Sequence, residues 1–165
     1  PVWFYNDPLF SGFDRQMLGE ERFRRMYALR DMVEAGVVIT GSSDSPATSD
    51  NRPLIGMETA VTRCSPYGEE KYDKAYVRNP TQAVPVLEML KAYTINGAKA
   101  MSMEHLIGSV EVGKKADLVI LAKDITKVDL REISDTEIEY TIFNGRIVYA
   151  KNPPHHAESR SRHIL

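Results

Sequence analysis

Four β-branched residues stand in a row at Val37-Val38-Ile39-Thr40. A short run of this kind is typical of a strand that is covered on both faces, as in a parallel sheet. Residues 20–35, just before it, repeat apolar side chains at helical spacing, and Gly36 suits the left-handed position that ends a helix. Residues 2–5 are a further apolar run, which we interpret as an earlier strand followed by a loop over 6–19. Strand, helix and strand in this order predict a βαβ unit.

The next part of the chain is polar and then helical. A polar loop covers residues 41–51, and Pro53 can occupy the first position of a helix. Residues 64–80 contain no clear periodicity, so we expect irregular structure there. A second helical stretch starts near Pro85 and continues after Gly97.

From Gly108 onward the chain changes character, because short extended runs replace the helical spacing. Asn144-Gly145 lies between the last two runs and is a strong hairpin signal. We therefore place a boundary near residue 104, between a helical part and an all-β part. The predicted extended runs are 109–113, 118–121, 138–143 and 146–149.

Composition narrows the class of protein without naming a reaction. The chain has 165 residues and a net charge of −2, so it offers no electrostatic argument for nucleic acid or an anionic membrane as partner. No apolar run approaches the roughly 20 residues that span a bilayer. The single cysteine, Cys64, excludes an internal disulfide and fits a reducing compartment, so we expect a cytoplasmic protein. Because Pro1 leads directly into an apolar run, we expect the chain to be part of a longer protein.

Asp44 is the candidate catalytic residue, within Gly41-Ser42-Ser43-Asp44-Ser45-Pro46. It follows the end of the predicted strand, and active sites of parallel barrels lie at the C-terminal ends of their strands. A carboxylate there can bind a metal ion or accept a proton from water. The alternative is structural, because Asp-Ser-Pro is ordinary turn chemistry. Ser42 and Ser43 also have two possible roles. Their hydroxyls could bond to the carboxylate or to a substrate, or they could satisfy backbone groups of the loop.

Several segments in unbroken order resemble one family. Residues 36–46 resemble the last barrel strand of the amidohydrolase superfamily, residues 108–121 with Lys115-Ala116-Asp117-Leu118 resemble its C-terminal signature, and Phe143-Asn144-Gly145-Arg146-Ile147-Val148-Tyr149 resemble its closing hairpin. Four further segments are similar to the branch called amidohydrolase family 3, and they are Gly19-Glu20-Glu21-Arg22, Pro53-Leu54-Ile55-Gly56-Met57, Ala60-Val61-Thr62-Arg63 and Tyr93-Thr94-Ile95-Asn96-Gly97-Ala98.

The resemblance implies an α/β fold that contains only part of a barrel. Residues 1–104 would form the last two strand–helix units, strands seven and eight, of a (β/α)₈ metallo-hydrolase barrel. Residues 105–151 would form the C-terminal segment of a small β-sandwich, with a tail over 152–165. A full barrel needs about 250 residues, so the chain is also too short for a complete one.

The resemblance also implies a reaction. It indicates a hydrolase that cleaves a non-peptide carbon–nitrogen bond, an amide or cyclic amide, in a small-molecule substrate. One or two divalent metal ions, zinc as the first expectation, would activate the attacking water. Of the family's metal ligands only the aspartate after strand eight maps onto this chain, so Asp44 is expected to bind metal and to shuttle the proton. We expect these 165 residues alone to bind no metal and to be inactive.

Other polar residues carry weaker hypotheses. Arg63 could bind an acidic group of the substrate, or could simply interact with the end of its helix. Asp117 is expected to act in a turn, and Cys64 is expected to be an inert thiol. We expect Lys114 and Lys115 to be solvated, and no metal site at the four histidines, which are His105, His155, His156 and His163.

The alternative function is a non-catalytic assembly or binding module derived from an amidohydrolase. Its contact surface would be the predicted hairpin and the strand at 118–121, since unpaired strand edges favour association, and a homo-oligomer is then allowed. A chain with two barrel units should also expose apolar surface. We expect that surface around Phe23, Met26 and Val33, or its coverage by another chain.

Overall fold

The computed structural model describes residues 4–5, 10–48, 50–67 and 73–153. Within them the chain forms an α/β structure, in which helices come first and one three-stranded sheet follows. The helices are α1 (Phe10–Arg24), α2 (Leu29–Glu34), α3 (Pro53–Thr62), α4 (Val86–Ala92) and α5 (Ile95–Ala100). The strands are β1 (Leu118–Leu121), β2 (Ile138–Phe143) and β3 (Arg146–Ala150), and three-residue 3₁₀ helices lie at Lys74–Tyr76, Pro80–Gln82 and Leu130–Glu132.

Helix α1 corrects the prediction of a loop over residues 6–19. It begins at Phe10, and Gly19 interrupts it with a non-helical backbone (φ 74°, ψ 159°). The single helix predicted over 20–35 is likewise wrong, because the chain turns after α1 and Tyr27 adopts φ 54° before α2 begins. The glycines in this region suggested a loop, although Phe10, Phe13 and Met17 already stood at helical spacing. Residues 6–9 lie outside the described part of the chain.

The end of α2 agrees with the sequence. Gly36 has φ 78°, and its N–H donates to the carbonyl of Val33 at 2.9 Å. The next N–H, that of Val37, reaches back to the carbonyl of Met32 at 2.9 Å. These two bonds form a Schellman motif, in which a left-handed glycine closes the helix.

The strand predicted at 37–40 is not a strand of the described structure, and of the strand predicted at 2–5 only residues 4 and 5 are described. Phe4 and Tyr5 lie in a turn and bend, and residues 1–3 are not described. Residues 37–40 have no strand pairing with any described residue, and the side chains of Val37 and Val38 are 52% and 59% exposed rather than buried. A strand needs a neighbour that takes up its backbone hydrogen bonds, and residues 37–40 meet helices instead of a strand.

The hydrophobic core lies around α3. Met57, Ala60 and Val61 on α3 pack with residues of α2 and α4, and the helix begins at Pro53 as predicted. Glu58 is also buried in α3, and its Oε2 accepts the N–H of Ser134 at 2.7 Å, which connects the helix to the segment before β2. The buried apolar residues of the core cluster are Phe4, Leu29, Met57, Ala60, Val61, Val84, Val86, Met89, Ala92, Ile125 and Ile133.

The helical stretch after Pro85 is divided, although not at Gly97. Helix α4 ends at Ala92, and Thr94 (φ −129°, ψ −100°) separates it from α5, which contains Gly97. The extended run predicted at 109–113 is not a strand, and residues 111–114 form a turn in which Gly113 has φ 95° and the N–H of Lys114 bonds to the carbonyl of Glu111.

The sheet confirms the three remaining strand predictions. Its order is β1-β2-β3, and both pairs are antiparallel. Asn144 (φ 49°) and Gly145 (φ 76°) form the turn between β2 and β3. Positive φ at both central residues is the requirement of a type I′ turn, which Asn-Gly meets at little cost.

Asp117 supports this hairpin from outside it. Its Oδ1 accepts the N–H of Asn144 at 2.6 Å, and the carbonyl of Ala116 accepts the N–H of Gly145 at 3.0 Å. The expected turn role is therefore observed, although the turn lies 27 residues later in the chain.

Replacing Asp117 with alanine should lower the free energy of unfolding by about 1–2 kcal/mol, because the Asn144 N–H loses its acceptor. Asp129→Ala is the matched control, since Asp129 also accepts one backbone N–H, from Arg131 only two residues away. Urea unfolding of the two variants measures the difference. An equal or smaller loss for Asp117→Ala would contradict a role in joining β1 to the hairpin.

Exposed apolar side chains occur elsewhere than predicted. Phe23 is buried, and Met26 and Val33 are half-buried, so the exposed surface expected around them is not found. It lies instead on α1 and on the sheet, at Phe10, Phe13, Met17, Val119, Phe143, Ile147 and Val148. None of the helices in the described residues combines the length and apolarity needed to cross a bilayer.

Candidate functional site

Asp44 lies on the exposed loop between residues 40 and 52 and adopts a left-handed backbone with φ 60°. Its carbonyl accepts the N–H groups of Ala47 and Thr48 at 2.8 and 3.3 Å, so the residue does form a turn. The peptide bond between Ser45 and Pro46 is cis. The turn is made by backbone groups of Asp44, and the catalytic role of its carboxylate stays a prediction.

The two serines before Asp44 bond to the loop backbone. Ser42 Oγ accepts the N–H of Asp44, and Ser43 Oγ accepts the N–H of Ser45, both at 3.2 Å. Thr48 Oγ1 donates to the carbonyl of Ser43 across the loop. Each hydroxyl therefore satisfies a backbone group, the structural alternative considered for the serines. Their contact with a substrate remains a prediction.

Two residues that sequence reasoning did not select contact the chain that leads to this loop. Asn96 Nδ2 donates to the carbonyl of Ile39 at 3.0 Å, and the hydroxyl of Tyr93 donates to the carbonyl of Ser42 at 3.4 Å. Burial raises the pKa of Tyr93, so the hydroxyl keeps its proton at neutral pH. The available signal was that both belong to one of the segments that resemble the family.

Arg63 lies in the protein interior. It ends α3 with a left-handed backbone (φ 60°), is fully buried, and donates from Nε to the carbonyl of Arg78 at 2.9 Å. Its guanidinium lies 5.2 Å from the ring centroid of Phe4. Burial, with a smaller contribution from Arg78, lowers the pKa of Arg63 to about 10, so the group remains charged at neutral pH.

The environment of Arg63 provides no carboxylate from the described residues. Its Nη1 and Nη2 are buried without a hydrogen-bond partner there. The neighbouring Arg78 does have a carboxylate partner, because its Nη2 lies 3.2 Å from Oδ2 of Asp14. The guanidinium of Arg78 also stacks on the rings of Phe23 and Tyr27, at 4.5 and 4.9 Å. Binding of an acidic substrate group by Arg63 remains a prediction, and such a group would have to enter the interior.

The remaining polar candidates are Cys64, the two lysines at 114 and 115, and the histidines. Cys64 is buried and burial raises its thiol pKa, the opposite of what a nucleophile needs. Lys114 is not solvated as predicted, since its side chain is only 12% exposed and bonds to Ser109 and Glu111. His105 and Lys115 are exposed, and the three tail histidines lie outside the described residues.

A metal ion would need more ligands than this part of the chain supplies. Across residues 4–5, 10–48, 50–67 and 73–153, no group of three or more histidine, cysteine, aspartate or glutamate side chains is placed to hold one. These residues alone therefore do not fit a resident metal. A cleft of about 430 Å³ lies between the start of α3 and the sheet, and Asp44 does not line it.

Comparison with known proteins shows that this chain is similar in sequence to proteins named as hydrolases. It matches a family described as the amidohydrolase family over residues 5–149. YtcJ of Bacillus subtilis (strain 168), which is named as an amidohydrolase, is 32% identical over 135 residues, covering 82% of this chain and 25% of that protein. The N-substituted formamide deformylase of Arthrobacter pascens is 31% identical over 127 residues, covering 77% and 22%. The chain thus spans about a quarter of the length of these relatives.

One solved structure supports the fold. The crystal structure of an amidohydrolase from Thermotoga maritima superposes with a TM-score of 0.55, over 76% of this chain and 26% of that one. The two sequences are 21% identical, so this likeness concerns the fold alone.

Proposed function

Because this chain belongs to the amidohydrolase family, we propose that the protein containing it hydrolyses a non-peptide carbon–nitrogen bond, with Asp44 as the residue that moves the proton. An amide or cyclic amide of a small molecule is the proposed substrate class. The deformylase relative, whose name specifies an N-substituted formamide, supports an amide as the bond that is cleaved.

The observation that carries this proposal is the position of Asp44. Asp44 is exposed to solvent. Its backbone is held by the hydrogen bond from its N–H to Ser42 and by those that its carbonyl accepts from Ala47 and Thr48. A carboxylate on a fixed and accessible turn is well placed for proton transfer, which requires a defined distance to the reacting atoms. Ser42 and Ser43 are proposed to shape the turn.

Asp44 would act twice in one hydrolysis. Its carboxylate accepts a proton from the attacking water while the oxygen of that water bonds to the carbonyl carbon. The carbon–nitrogen bond then breaks, and Asp44 delivers the same proton to the departing nitrogen. No proton is gained or lost by the enzyme over the cycle, so the carboxylate is regenerated.

We propose several further features of the complete protein because of its resemblance to the family. Residues 1–104 would complete a (β/α)₈ barrel as its last two units, and residues 105–151 would belong to a β-sandwich, both with chain from elsewhere in the protein. A divalent metal, zinc as first choice, would need ligands beyond the described residues. The cytoplasmic location and a homo-oligomeric state stay predictions.

Chelation tests the dependence on metal. In the complete protein, dialysis against a strong zinc chelator should reduce hydrolysis of an N-substituted formamide or a cyclic amide to the level of buffer, and zinc should restore it. The 165-residue chain alone should show neither hydrolysis nor stoichiometric zinc binding. Hydrolysis that survives complete removal of metal would contradict the proposed cofactor, and tight zinc binding by the chain alone would contradict its expected inactivity.

A non-catalytic module is the second candidate, and the sheet supplies the observation in its favour. Phe143, Ile147 and Val148 are each about 60% exposed, which suits contact with other protein. A complete protein that has no hydrolase activity with any amide or cyclic amide, yet associates through these residues, would favour this candidate.

A further inference from the structure

We propose that the junction of α4 and α5 is a clamp for the chain that leads to Asp44, with Asn96 and Tyr93 as its positioning residues. The inference rests on the proposed function for its effect on catalysis. Its structural part concerns only residues 39–44 and the junction.

The chain before Asp44 needs such support. Among the described residues no strand pairs with residues 37–40, and the side chains of Val37 and Val38 are exposed. Backbone N–H and carbonyl groups that are shielded from water require partners within the protein. A segment without them would move, and Asp44 would move with it.

The junction supplies these partners along one edge of the segment. The carbonyl of Ala92, at the end of α4, accepts the N–H of Gly41 at 2.9 Å. Asn96 Nδ2, on α5, donates to the carbonyl of Ile39 at 3.0 Å. Both contacts go to backbone groups of residues 39–41, so the junction holds this segment at two points just before Asp44. The carbonyl of Ala92 is available because carbonyls at the end of a helix lack partners within it.

Tyr93 adds a steric contact between the two hydrogen bonds. A Cβ atom added at Gly41 would lie 2.4 Å from Cε2 of Tyr93, and one added at Gly56 on α3 would lie 2.1 Å from its hydroxyl oxygen. The ring therefore occupies a space between Gly41 and Gly56 of α3 that a side chain at either position would block. Its hydroxyl ends near the carbonyl of Ser42, whose Oγ accepts the N–H of Asp44.

Amide hydrogen exchange and steady-state kinetics of the complete protein test the clamp together. In Asn96→Ala and Tyr93→Leu, exchange of the Gly41 and Asp44 amides should be at least about tenfold faster. The kcat should fall by about 10–100-fold with KM within about threefold, because a small misplacement of a reacting group is costly. Gly97→Ala is the matched control on the same helix, since an added Cβ there meets nothing closer than 3.9 Å.

Three further variants keep the test decisive if one of the first variants does not fold. Asn96→Asp keeps the side-chain size but removes the donor, and it replaces Asn96→Ala if that variant does not fold. Gly56→Ala should disturb the loop, and Tyr93→Phe in the same chain should restore part of the lost protection and activity, because it removes the hydroxyl that the new methyl group would meet.

The outcomes separate the clamp from the proposed function. Unchanged exchange at Gly41 and Asp44 in Asn96→Ala and Tyr93→Leu would overturn the clamp. An effect of Asn96→Ala on kcat that persists at full size in an Asp44→Asn background would show that Asn96 does not act through Asp44. If Asp44→Asn keeps its activity, the proposed role of Asp44 in the reaction fails, while the exchange measurement still decides whether the clamp exists.

Discussion

Replacing Asp44 with asparagine is expected to lower the kcat of the complete protein by about 10³-fold, within the range of a lost general acid–base group. Asparagine has nearly the same shape as aspartate and also tolerates the left-handed backbone that residue 44 adopts at φ 60°. The turn carbonyl that binds Ala47 and Thr48 is unaffected. The substitution therefore removes the negative charge of the carboxylate while it keeps the side-chain size and the backbone turn, so the melting temperature should change far less than kcat.

Asp50→Asn on the same loop is the matched control. Asp50 forms a bidentate ion pair with Arg52, which lowers the pKa of Asp50 and has no part in the proposed reaction. This variant should retain kcat within about threefold, since an exposed ion pair contributes little. Both variants should be compared by kcat, KM and melting temperature. Activity of Asp44→Asn within threefold of the unmodified protein would remove Asp44 from the mechanism.

The parts of the fold that the sequence predicted are those encoded by neighbouring residues. The Asn144-Gly145 turn, Gly36 after α2 and Pro53 at the start of α3 each depend on a backbone preference of one or two residues. The family was also recognisable from ordered local segments, and the match over residues 5–149 confirms it.

The errors arose where contacts between distant segments decide the structure. Residues 37–40 have strand-forming side chains, but a strand exists only with a partner, and the described residues offer the α4–α5 junction instead. Asn96 and Tyr93 contact residues 57 and 51 positions away in sequence, a distance at which no local pattern gives a signal. Arg63 is similar, because helical spacing could not indicate that its guanidinium would be buried beside Arg78.

Gly108 is another residue whose role depends on contacts with distant segments, and it leads to a prediction about stability. The sequence marked it only as the point where the helical part ends. In the structure it has φ 91°, and an added Cβ would lie 2.7 Å from Cβ of Ala98, 3.0 Å from Cα of Ile95 and 3.3 Å from the carbonyl oxygen of Thr94. Two of these three atoms belong to the backbone of the α4–α5 junction and α5, so they cannot move aside as the end of a side chain would.

Gly108→Ala should therefore lower the free energy of unfolding by roughly 3–4 kcal/mol, which combines the cost of a left-handed alanine with that of overpacking. Gly113→Ala separates the two contributions, because Gly113 has nearly the same φ, 95°, and an added Cβ meets nothing within 4 Å. That control should lose only about 1 kcal/mol. Urea unfolding of both variants gives the difference. Equal losses would mean that backbone conformation alone requires the glycine, and that residue 108 does not pack closely on α5.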